Sequence, residues 1–223
     1  HSWYRRQRQM CIRDRTHTVN SINIEGKTVA LPTAMYTATN PKALKLPLDQ
    51  RNVAILADSA AQRTLITKAT VARLGLDRLG TERASLRGFG SKRPQNSAHD
   101  VVSISLGLPI YSKQAIFYAY VVDNLNQIHM AGVAKFAKKL QNKGVNLADW
   151  RLGHTKSDII DFDILVGADH YYKIVSPYKL PIERLGMWLS FDRFGRNFLF
   201  GRIPGSNPDK KQQQVNFVSI HNI

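Results

Sequence analysis

The sequence predicts a mainly β fold with two or three short helices and one insertion, and three observations lead there. Short apolar runs bounded by turn-forming residues recur along the chain, at 53–57, 101–106, 115–122 and 162–167. Helix-compatible stretches are brief, at 67–74, 133–140 and 168–175. No internal repeat is visible, and 223 residues of which 43% are hydrophobic suit one domain of ordinary size.

Taken in order, residues 19–31 alternate loosely around the turn-like Glu25-Gly26-Lys27 and predict a hairpin, whose second strand Met35, Tyr36 and Thr37 extend toward Asn40-Pro41. Val53-Ala54-Ile55-Leu56-Ala57 is the first strongly buried strand and ends at Asp58. A helix follows over 67–74, with Thr67 or Thr64 as its cap, Gly75 as its stop, and Val71 and Leu74 facing one core. Residues 101–106 and 115–122 make a second hairpin. Val133, Phe136, Ala137 and Leu140 share one helical face, so 131–160 reads as a helical insertion. The strand pattern resumes at 162–167, and two apolar runs between 185 and 203 flank Asp192-Arg193-Phe194-Gly195.

The opening residues look unlike the rest. Met10-Cys11-Ile12-Arg13-Asp14-Arg15 resembles translated sequencing-adapter read-through, and no packed element is expected before about residue 17. The predicted organisation is therefore a basic, disordered extension at 1–16, one domain at 17–205, and a polar tail at 206–223. A charged start with no apolar region behind it predicts no secretory signal.

Composition excludes several chemistries. No run of about 18 apolar residues is present, so no membrane-spanning helix and no membrane partner are expected. The single cysteine, Cys11, rules out an internal disulfide framework and any thiolate cluster, which favours a reducing, intracellular and cytoplasmic setting. The seven histidines show no metal-binding spacing, and neither a metal nor an organic cofactor is expected. His99, His129 and His154 read as isolated loop residues, and His170, Tyr171 and Tyr172 as an aromatic packing face. Trp150 and Trp188 read as core or interface anchors. A surplus of 32 Lys and Arg over 16 Asp and Glu, net +16, would draw a polyanion. Its densest internal cluster is Lys135, Lys138, Lys139 and Lys143, for which a solvated helix face is the simpler account than a nucleic-acid contact.

The strongest chemical signal is Leu56-Ala57-Asp58-Ser59-Ala60-Ala61-Gln62-Arg63-Thr64-Leu65-Ile66. An apolar strand delivers an acidic side chain into a polar turn beside a small hydroxyl residue. Two such carboxylates, sharing one proton and holding a water, are what an aspartic protease needs. Ser59 is expected to hydrogen-bond across the turn and fix the carboxylate. The residues alone equally allow Asp58 to be a helix cap or a loop carboxylate.

This run, followed by the helix ending at Leu74-Gly75-Leu76, resembles the start of the retropepsin-like aspartic peptidase domain of Pao/BEL-type retrotransposons, whose pattern is Asp-Ser-Gly-Ser-Gln-Arg. Downstream, Leu165-Val166-Gly167-Ala168-Asp169-His170-Tyr171 resembles that family's apolar-Ile-Gly-Ala-Asp-aromatic signature, and the two matches span about 19–203. The resemblance implies a retropepsin-like acid protease fold with one lobe per chain, in which Asp58 is catalytic and Ser59 and Ala60 support its turn. It puts Arg87, Gly88, Phe89 and Gly90 in the substrate-covering flap, and makes Gly167, Ala168 and Asp169 a structural signature. It also implies a homodimer whose second catalytic Asp58 comes from the other copy, acting on an extended polypeptide of the element's own polyprotein. Ala60 stands where the family has glycine, and Ala61 where it has serine. A catalytically inactive retropepsin-like dimerisation or peptide-binding module, and a basic nucleic-acid-binding protein, are the competing functions.

Overall fold

In the computed structural model the described residues are 29–40, 48–86, 95–107, 115–125, 127–130, 132–182 and 187–202. The expected extension at 1–16, the first hairpin arm at 19–24, the flap residues Arg87, Gly88, Phe89 and Gly90, and the tail at 206–223 lie outside them.

The fold is mainly β with a few short helices, and its centre is a closed barrel. In chain order the strands are β1 (Val29–Ala30), β2 (Thr33–Thr39), β3 (Asn52–Ala57), β4 (Leu65–Thr67), β5 (Arg78–Leu86), β6 (Gln95–Gly107), β7 (Ala115–Val122), β8 (Ile128–His129), β9 (Ile159–Ile160), β10 (Ile164–Val166), β11 (Val175–Ile182), β12 (Met187–Asp192) and β13 (Asn197–Arg202). The helices are α1 (Lys68–Leu74), α2 (Val133–Asn142) and the single turn α3 (Tyr171–Ile174). One sheet runs β2-β3-β10-β4-β7-β6-β5, and pairing of β2 with β6 closes its first six strands on themselves. A second sheet runs β1-β13-β12-β11.

Side-chain alternation explains why β3 and β10 read as unbroken apolar runs. Val53, Ile55 and Ala57 of β3 and Ile164 and Val166 of β10 fill the barrel with Tyr36, Ile66, Ile104, Phe117 and Phe198. The intervening Ala54, Leu56 and Leu165 join a second core against the outer sheet. Strands covered on both faces have no polar side to show. The insertion completes that second core with Val133, Ala137, Leu140 and Leu152, so it is part of the packed body. Trp150 and Trp188, by contrast, are 55% and 40% exposed and anchor no core.

Helix α1 begins where Thr67 Oγ1 accepts the Thr70 N–H at 3.2 Å and ends at Gly75, whose φ of +59° is left-handed. Three expectations are corrected. Residues 33–39 are not the tail of a hairpin strand: β2 is a barrel strand of its own, separated from β1 by Leu31-Pro32, and β1 pairs with β13. His99 and His129 lie in strands β6 and β8 rather than in loops. The helix after β10 is only four residues long, because Val175 already begins β11.

Beyond the barrel, residues 95–100 of β6 pair with β5 alone, in register up to Leu86 opposite Gln95, whereas 101–106 also pair with β7. This two-stranded arm leads to residues 87–94.

Candidate active site

Asp58 is delivered by β3, and its surroundings follow from one topological fact. Strand β10 lies between β3 and β4, parallel to the first and antiparallel to the second. The turn from Asp58 to Thr64 must therefore cross over the end of β10, where Gly167 stands. A Cβ on Gly167 would lie 2.5 Å from both C and O of Arg63 and 2.9 Å from Ala61 O. Only hydrogen fits there.

The crossing is pinned by a set of hydrogen bonds. Asp58 N–H donates to Val166 O at 2.9 Å, and Ala168 N–H donates to Ala61 O at 2.7 Å. The buried Thr64 hydroxyl accepts the Gly167 N–H at 3.2 Å and donates to Asp169 Oδ1 at 2.7 Å. Asp169 Oδ2 accepts the Thr64 N–H at 3.1 Å. The structure thus brings Asp58, Ser59 and Ala60 together with Gly167, Ala168 and Asp169, and both Asp169 oxygens are occupied in holding Thr64.

Within the turn, Asp58 is half-buried and its Oδ1 accepts the Ala60 N–H at 2.9 Å. Among the described residues no donor reaches Oδ2. The backbone of Ala60, not the Ser59 hydroxyl, orients the carboxylate here, and Ser59 is exposed. Ala60 is exposed too, so its methyl group meets no packed neighbour.

The seam beside the turn is closed in an unusual way. Strand β4 pairs with only the last part of β7, and Tyr120 N–H donates to Thr64 O at 3.0 Å. Further along the same edge, Tyr118 N–H donates to His170 Nε2 at 2.9 Å, and Lys173 Nζ lies 3.5 Å from Ile116 O. Side chains of α3 and its preceding residue stand in for the missing strand. A His nitrogen that accepts from an amide is unprotonated, so the ring proton is on Nδ1, which is buried with no partner among the described residues. His170 also packs edge-on to Phe117 at 5.1 Å.

Contacts that the sequence does not show complete the frame. Asp163, just before β10, accepts from Ala54 N–H at 2.7 Å, Thr70 Oγ1 at 2.6 Å and Arg73 Nη2 at 2.8 Å, tying β3, β10 and α1 together. Burial pushes the Tyr171 phenol above its ordinary value, and the neighbouring Tyr172 and the Asp58 charge push it further, which puts Tyr171 within electrostatic reach of the candidate carboxylate. Of the expected aromatic packing face, Tyr171 packs on the barrel core, whereas Tyr172 is 75% exposed and stands edge-on to Tyr171. The Arg63 guanidinium lies 5.9 Å from the Tyr120 ring centroid.

Among the described residues no group of three or more His, Cys, Asp or Glu side chains is placed to hold a metal ion. No helix among them is long and apolar enough to cross a membrane.

No family model matches the sequence, and no curated protein matches it. Among solved structures the chain is similar to EIAV protease complexed with the inhibitor HBY-793, at 16% identity and a TM-score of 0.30, over 57% of this chain and 97% of that chain. The likeness is weak and partial.

Proposed function

We propose that this chain is one half of a homodimeric aspartic endopeptidase, with Asp58 of each copy at the two-fold axis. The observation that carries the reading is the state of Asp58: it sits at the end of a strand buried on both faces, with Oδ1 oriented by Ala60 N–H and Oδ2 undonated among the described residues. Two carboxylates brought face to face cannot both ionise cheaply, so they share one proton. The ionised one takes a proton from the water between them, and the protonated one gives its proton to the scissile carbonyl oxygen.

Subtraction favours a partner copy as the source of the second carboxylate. Asp169 is bonded to Thr64, Asp163 to Ala54, Thr70 and Arg73, and Asp161 to Gln127. A two-fold interface brings each residue near the axis to its own copy. The β5–β6 arm supports a flap at 87–90, with Phe89 over an extended peptide that is held through backbone hydrogen bonds. The resemblance to Pao/BEL elements makes the element's own polyprotein the substrate.

Cleavage of a peptide library by purified protein, beside Asp58→Asn and with an inhibitor selective for aspartic peptidases, tests the reading. Asp58→Asn should lower turnover by about 10³-fold or more while the circular dichroism spectrum and sedimentation stay those of the parent dimer. Inhibitor-resistant cleavage that survives Asp58→Asn, or an active monomer, overturns it. A folded dimer without any hydrolysis establishes the inactive-module alternative instead.

A further inference from the structure

We propose that the exposed face of α2, together with Trp150, is a binding surface for single-stranded nucleic acid. This function is separate from peptide hydrolysis and does not depend on it. Helix α2 contains no acidic residue, and while Val133, Ala137 and Leu140 are buried, Lys135, Lys138 and Lys139 are exposed. The short 3-10 turn Trp150–Gly153 lies directly on the same helix: Gln141 Nε2 donates to Trp150 O at 3.1 Å, and a Cβ on Gly153 would be 3.2 Å from Lys138 Cα. The tight fit fixes the backbone of this turn against the helix that carries the lysines, and the Trp150 side chain on it is 55% exposed.

All the charged residues on the helix itself are lysines. The adjacent acid, Asp149, has a fully buried side chain and is neutralised by Arg151, whose Nε and Nη2 donate to its two oxygens at 2.9 and 2.8 Å. Asp158 lies at the other end of the helix, where its carbonyl accepts from Met130 N–H and the Met130 carbonyl accepts from Val133 N–H. Lysines on flexible stems suit irregularly spaced phosphates, and an exposed indole suits an unpaired base. A duplex offers no free base face to the indole. An acidic peptide would satisfy the lysines but leave Trp150 without a role.

The test is fluorescence anisotropy of labelled U20 with the full chain between 50 and 200 mM salt. The triple variant Lys135→Gln, Lys138→Gln, Lys139→Gln should reduce the slope of log K against log salt by about 2, since each phosphate contact on a single strand contributes about 0.7. Trp150→Ala should weaken binding about fivefold or more with the slope unchanged, and should leave the weaker binding of a 20-base-pair duplex as it was. All four positions are exposed, and a thermal melt of each variant matching the parent checks folding. The proposal is overturned if the triple variant keeps the parent slope, which would assign binding to the arginines between 5 and 15, if Trp150→Ala binds U20 as the parent does, or if polyglutamate binds as tightly as U20.

Discussion

Replacing Gly167 by alanine puts a methyl group where the Arg63 peptide already runs. The new Cβ would stand 2.5 Å from two Arg63 backbone atoms and 2.9 Å from Ala61 O. Comfortable contact needs about 3.5 Å, so the turn must retreat by about 1 Å. It cannot do so freely, because Ala168 N–H holds Ala61 O at 2.7 Å and the Thr64 hydroxyl holds both Gly167 N–H and Asp169. Overpacking of this kind costs about 1–3 kcal/mol, and loosening one buried hydrogen bond adds about 1–2 kcal/mol. The expected loss is about 2–5 kcal/mol. With a urea m-value of about 2 kcal/mol/M, the midpoint falls by about 1–2.5 M at unchanged m. Gly80→Ala is the internal control, since a Cβ there meets nothing within 4 Å. A Gly167→Ala midpoint equal to that of Gly80→Ala would refute the argument that β10 and the Asp58 turn are in obligatory contact.

Thr64→Val keeps the volume of a wholly buried side chain but removes the hydroxyl that serves Gly167 N–H and Asp169 Oδ1, so unfolding free energy should drop by about 2–4 kcal/mol in the same urea assay; a loss under about 0.5 kcal/mol would contradict it. Tyr36 governs the alkaline limb. Burial, and then the neighbouring Asp192, raise its phenol well above the ordinary 10.0, while the unfolded chain ionises near that value. Above pH 10 the unfolded state therefore holds fewer protons, and this residue's share of stability falls as pH rises, by about 1.4 kcal/mol per unit. Tyr36→Phe should lose stability less steeply than the parent between pH 10 and 11.5, and parallel curves would show that Tyr36 ionises as freely in the fold as outside it.

Much of the frame was legible because it is local. The β3 run, Asp58 at its end, Thr67 and Gly75 bounding α1, and the buried face of α2 all follow from residues within a turn or two of each other. Strands β5 and β11 were not legible, for a physical reason. β5 carries charged residues and is hydrogen-bonded to β6 alone, while β11 is an edge strand, exposed from Pro177 to Pro181, where proline is tolerated and no apolar face need be shown. The chemistry of Asp58 was readable from its neighbours, but the contacts that hold it were not. Thr64 with Asp169, and Tyr118 with His170, are separated by 105 and 52 positions and leave no periodic trace. Asp163, too, stands beside an apolar strand, and only the fold shows it spent on three donors.

The wedge formed by Ile164–Val166 has a consequence in time as well as in space. On the ribosome, Ile55 and Ile66 emerge before Ile164, with which both are in register, and must wait roughly 5–20 s at ordinary elongation rates for the strand that separates them. Until then their segments can only hover about two strand widths apart or collapse on each other wrongly. Whatever chemistry Asp58 performs is thus withheld from a growing polypeptide until β10, about a hundred residues further on, has been made, a delay written into the order of threading.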